Sequence, residues 1–163
     1  MNRQLLIALT ILFPVLASAN SLEGTWKSDK EKTLLWNSKH RKVSDEYLLK
    51  LDYILGHHYL TYETGKSCNY FESFSIKGKL NEAYALPESS YKIVATNDHG
   101  VVVEETLSTG ENIVFMVIFE SSESFYGVML DTEDFGQPGH REYYKRVKPI
   151  GVSNWGSSSC YPQ

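Results

Sequence analysis

Five histidines, eleven tyrosines, two cysteines and one glutamate set among aromatics are the side chains of this 163-residue chain best suited to chemistry. His57 and His58 are adjacent. Neighbours on a strand point to opposite faces, so the pair cannot easily share one metal ion, and no third ligand stands at a metal-binding spacing. The pair reads as a polar hinge, and neither a metal nor a cofactor is expected. His40, His99 and His140 fall among turn residues and read as solvated. Tyr59, Tyr62, Tyr70, Tyr84, Tyr91, Tyr126, Tyr143 and Tyr144 lie in or near stretches of strand-like alternation. They fill half-buried pleat positions, or they line a cavity whose phenols orient an aromatic or amphipathic ligand. Glu72 shares a face with Tyr70 and Phe74. If that face is interior, its carboxyl is buried, its pKa is raised, and it could act as an acid or base. There is no Ser-His-Asp set and no phosphate-cradling glycine loop, and no catalytic residue is assigned.

These residues need a compartment and a scaffold. Residues 1–19 have the three parts of a secretory signal: Arg3, the apolar run Leu5–Leu16, and the small residues Ala17-Ser18-Ala19. Cleavage after Ala19 leaves residues 20–163, with 15 basic against 20 acidic residues. There is then no integral membrane segment and no basic run, which argues against nucleic acid and anionic lipid as partners. The expected location is secreted or periplasmic. In such an oxidising compartment Cys68 and Cys160 most simply form one disulfide, tying the tail 148–163 back to the middle of the chain.

The scaffold reads as mostly β. Leu22–Lys27 is a first strand. Ser28 and Glu31 fit a capping box that starts a helix to about Asn37. Ser44 or Asp45 caps a second helix with Tyr47, Leu48, Leu51, Ile54 and Leu55 at helical spacing, stopped near Gly56. The period then changes to two, and strands are expected at Tyr59–Glu63, Cys68–Ile76, Tyr91–Thr96, Val101–Leu107, Asn112–Glu120, Ser124–Leu130 and Arg141–Val147. Their short connections make neighbours antiparallel. The expectation is one domain over 20–147: an eight-stranded antiparallel up-and-down barrel with a helix pair between the first and second strands. In the strand from Asn112 one face carries Ile113, Phe115 and Val117 and the other Val114, Met116 and Ile118. It is therefore covered on both sides, or its outer face meets a second copy or another protein.

The stretch "LEGTWK", Leu22–Lys27, resembles the Gly-x-Trp opening of lipocalins and equally the Gly-Thr-Trp-Lys of fatty-acid-binding proteins, both calycin barrels. The final stretch "REYYKRV", Arg141–Val147, offers a cation where lipocalins place one over that tryptophan. Arg146 is assigned to it, although Lys145 lies on the alternate face. The resemblance gives Gly24, Trp26 and Arg146 a structural role, and it matches a Cys68–Cys160 bridge from tail to barrel. It implies a carrier of a small hydrophobic or amphipathic ligand, with Leu48, Leu51, Leu55, Tyr70, Glu72, Phe74 and Phe115 as cavity or lid residues. Two other readings stay open. One is a filled barrel that dimerises or binds a protein. The other is a small-barrel enzyme similar to phenolic acid decarboxylases.

Overall fold

The computed structural model describes residues 21–40, 43–129 and 139–148. The signal region and Cys160 lie outside the described residues. Among the described residues two helices and eleven strands follow in order: β1 (Gly24–Ser28), α1 (Lys30–His40), α2 (Asp45–Ile54), β2 (His58–Glu63), β3 (Lys66–Phe71), β4 (Phe74–Ile76), β5 (Lys79–Asn81), β6 (Tyr84–Ala85), β7 (Ser89–Thr96), β8 (Gly100–Thr106), β9 (Asn112–Ser121), β10 (Ser124–Met129) and β11 (Arg141–Val147).

All pairings are antiparallel, and the main sheet closes on itself because β2 pairs with both β1 and β3. β6 and β7 pair with successive parts of β3, at Phe71–Tyr70 and at Ser67–Lys66. They are one barrel strand interrupted around Pro87, which has no N–H to give to a ladder. Counted that way the barrel has eight strands, with α1 and α2 between its first and second. β4 and β5 form a separate hairpin, so the single strand expected over Cys68–Ile76 divides at Glu72–Ser73.

Alternation fills the inside. Trp26, Tyr62, Val103, Phe115, Val117, Phe119, Phe125 and Tyr144 make one buried cluster. The outer row Val114, Met116 and Ile118 of β9 is half-buried. Turns at Thr64–Gly65, Asn97–His99 and Ser122–Glu123 gather at the barrel's base. The helix pair and the β8–β9 turn stand at the opposite end, the mouth.

α1 begins one residue later than the capping-box spacing implies. Asp29 Oδ1 accepts from Lys32 N at 3.2 Å, while Ser28 Oγ accepts from Gly56 N at 2.8 Å and closes the helical excursion. Ser44 caps α2 by accepting from Tyr47 N. α1 takes over from β1 as the neighbour of β11. Thr33 Oγ1 accepts from Tyr143 N at 2.9 Å. Asn37 Oδ1 accepts from Arg141 N at 3.1 Å, and its Nδ2 donates to the carbonyls of Arg141 and Thr33 at 2.7 and 2.8 Å. Helical spacing of four puts both side chains on the face that replaces a strand. Asn37 is fully buried. Asn37→Ala is expected to cost about 2–3 kcal/mol, since it leaves two strand groups without partners. Urea unfolding measures this, and a cost near zero means α1 does not hold the β11 edge.

Candidate functional site

The base of the barrel is a stopper. Trp26 is fully buried, meets Phe125 edge-on at 4.7 Å, and donates from Nε1 to Leu22 O at 2.8 Å. The Arg146 guanidinium lies 4.2 Å above the indole. It donates to the carbonyls of Ser21, Glu23 and Ser122 at 3.0, 2.9 and 2.9 Å. Gly24 has φ +126°, and a Cβ there would come within 2.5 Å of Arg146 Nη1. Only glycine meets both demands. Trp26, Gly24 and Arg146 thus close one end of the barrel.

Above them a cavity of about 370 Å³ opens toward the mouth. Its apolar wall includes Leu60, Leu86, Leu107, Ile113, Phe115 and Phe125, with Gly127 completing it on β10. Its polar groups come from five places in the fold: His58 and Tyr62 on β2, Asn69 on β3, Glu105 on β8, Glu111 after it, and His140, Glu142 and Tyr144 at β11. Size, apolar walls and few converging polar groups are what a small-molecule site requires.

His58 is the hub. Its Nε2 lies 2.9 Å from Asn69 Oδ1, and its Nδ1 lies 3.2 Å from Tyr144 Oη and 3.4 Å from Glu142 Oε1. With Nε2 donating to the amide oxygen, Nδ1 accepts from Tyr144 in the neutral ring and donates to Glu142 in the charged ring. Burial works against the Glu142 charge, but hydrogen bonds from His58 and Tyr144 and the nearby imidazoles outweigh it and hold its carboxyl below the ordinary range. Glu105 is different. Burial dominates and pushes its carboxyl up, although Ser67 and Ser89 donate to it, Ser67 at 2.7 Å. Burial first, then the carboxylates nearby, keeps the Tyr62 and Tyr144 phenols neutral well beyond their usual range.

These opposite shifts predict opposite pH dependences. Glu142 contributes stability above the ordinary carboxylate pKa, and that stability is lost as pH falls through its lowered folded value. Glu105 contributes nothing below the ordinary value and costs stability as pH rises through its raised folded value. Glu105→Gln is therefore expected to gain on the parent protein as pH rises from the ordinary carboxylate range, about pH 4, through the raised folded value of Glu105. Urea midpoints across that range test it, and a constant offset between the two proteins contradicts it.

Of the seven residues the sequence singles out for a cavity, Phe115 lines this one. Tyr70 and Glu72 sit on the other face of their strand. Tyr70 stacks on Tyr59 at 4.7 Å and is buried there with Ala85 and Val147. Glu72 accepts from Tyr59 Oη at 2.6 Å and from Lys27 Nζ at 3.1 Å. Burial opposes its charge, yet those two donors win and its pKa is lowered. The raised pKa expected of Glu72 on an interior face is therefore reversed. Phe74 is buried in the β4–β5 hairpin beside His57. Leu48 borders a shallow groove between α1 and α2, Leu51 is half-buried, and Leu55 is buried at the end of α2. None of these lines the cavity. His140, expected to be solvated, is buried in its wall. Cys68 is buried on β3.

No family model, curated protein or solved structure matches this chain. Among the described residues no three His, Cys, Asp or Glu side chains are placed to hold a metal ion, and no helix is long and apolar enough to cross a membrane. The fold, a closed eight-stranded barrel with a helix pair after the first strand, is compatible with the calycin architecture.

Proposed function

We propose that this is an exported, lipocalin-like carrier of a small apolar or amphipathic molecule, held in the barrel above the Trp26 stopper. The observation that carries the reading is the cavity of about 370 Å³ at the mouth. It falls within the ordinary span of small-molecule sites, roughly 300–1,000 Å³. Apolar burial there supplies affinity at about 0.8 kcal/mol per methylene, and the polar groups around His58 supply orientation. A filled barrel acting purely through its outer face would not need such a space. The reading includes release from the signal at Ala19, residence in the periplasm or outside the cell, and a Cys68–Cys160 bridge fastening the tail.

Native mass spectrometry of the protein from its own source tests the carrier reading. A retained small molecule supports it, and a bare mass under gentle conditions goes against it. Intact mass after alkylation without reductant tests the bridge, since a bridged chain takes up no label. A mature N-terminus at Asn20 tests export.

A further inference from the structure

The cavity has a charge sign. Among the described residues its wall carries three acidic side chains, Glu105, Glu111 and Glu142, and two imidazoles, but neither lysine nor arginine. The neighbouring cations are engaged elsewhere. Arg141 lies 4.2 Å over both Trp36 and Tyr126, Lys27 pairs with Glu72, and Arg146 is bound to backbone carbonyls at the base. His58 sits beside Glu142, while Glu105 accepts from the Ser67 and Ser89 hydroxyls and feels His58 only at longer range.

A carboxylate has about four acceptor positions, so both groups keep acceptor capacity toward the cavity. A second observation points the same way. Tyr62 is 2 % exposed and lines the cavity, and its hydroxyl makes no hydrogen bond with another described residue. Tyr62 faces the cavity, where a ligand's polar group can reach its hydroxyl. An inorganic cation would need converging ligands in place of the apolar surfaces of Leu60, Ile113 and Phe115. A carboxylic acid would set its own anion against the wall.

We propose that the ligand is an organic cation: an ammonium group on a small apolar body, donating to the Glu105 and Glu142 carboxylates, with Tyr62 as a further partner. This rests on the carrier reading and deepens it. The apolar body lies against Leu60, Ile113 and Phe115; the Glu142 carboxylate matches the charge, and the bound ammonium draws Glu105 from its neutral to its charged form. The site thereby selects against fatty acids, which the opening "LEGTWK" alone would have suggested.

Calorimetry with phenylpropylamine, phenylpropanol and phenylpropanoate near neutral pH tests this on the unmodified mature protein. The three share a body and differ in charge. The amine is expected to bind about 10- to 100-fold more tightly than the alcohol, the worth of one or two charge-assisted hydrogen bonds, with the carboxylate weakest. In the Glu105→Gln, Glu142→Gln double variant the amine's advantage over the alcohol is expected to shrink. Equal or tighter binding of the alcohol or the carboxylate overturns the charge assignment and leaves the carrier reading standing. No binding by any of the three overturns both for molecules of this size.

Discussion

Trp26→Ala is expected to lose about 3–5 kcal/mol of stability, the usual cost of removing a large buried aromatic. Three contacts go together. The indole is fully buried, it meets Phe125 at 4.7 Å, and it is the surface on which the Arg146 guanidinium rests. The Arg146 hydrogen bonds reach residues before β1 and the turn between β9 and β10, so this cation joins segments far apart in the chain. A domain of this size has roughly 5–15 kcal/mol in hand, and the variant should therefore be marginal at physiological temperature. Arg146→Lys keeps the charge but loses the planar fork, and a smaller loss of about 1–2 kcal/mol is expected. Urea unfolding of both variants decides the matter. A Trp26→Ala loss below that of Arg146→Lys would mean that the backbone clamp, and not the indole, closes the base.

That stopper was legible because its parts are local and few. Gly24 and Trp26 are two residues apart, and alternation along Arg141–Val147 put Arg146 on the face of Tyr144, which lies inside the barrel. The barrel itself was legible from period-two runs joined by short turns, and the helix pair from Tyr47, Leu48 and Leu51 at helical spacing. Closure was harder to see. It depends on β2 pairing with both β1 and β3 and on Pro87 splitting one strand into two, and neither is a local signal. Thr33 and Asn37 gave no hint that a helix would replace a strand beside β11, since a buried asparagine in a helix looks like an ordinary polar position until its partner is known.

The candidate site was less legible, and the reason is phase. A strand's two faces can be told apart only when the core is known. In the stretch from Cys68 the sequence leaves open whether the face of Tyr70, Glu72 and Phe74 turns inward, and Ser67 and Asn69 are the residues that turn in. Both faces carry aromatics, so hydrophobicity did not choose between them. Adjacent side chains diverge, which argues against His57 and His58 sharing a site. That geometry is right, and it is why one of the two enters the cavity while the other stacks against Phe74. His140 and Glu142 come from the far end of the chain, and only closure of the barrel brings them to His58. A signal was available for Glu105: an acid in phase with Val101 and Val103, on a strand whose inner face is otherwise apolar.

Gly127→Ile is expected to abolish binding of the cavity's ligand, with affinity falling at least about tenfold, while making the protein more stable. Gly127 lies on β10 in phase with the buried Phe125 and lines the cavity. A Cβ there would meet only the Glu142 carbonyl, at 4.0 Å, so the backbone tolerates a side chain. Glycine inside a strand is costly, and a β-branched residue there gains propensity and apolar contact. Together these are worth about 1–2 kcal/mol. The branched side chain would enter the cavity between its register partners Val117 and Glu142 and take up volume that a ligand needs. Opposite signs make the experiment decisive. A loss of both stability and binding would mean that the cavity was already packed. A gain in stability with binding intact would place the ligand elsewhere on the molecule, and the groups around His58 would then be a buried network that serves the fold alone.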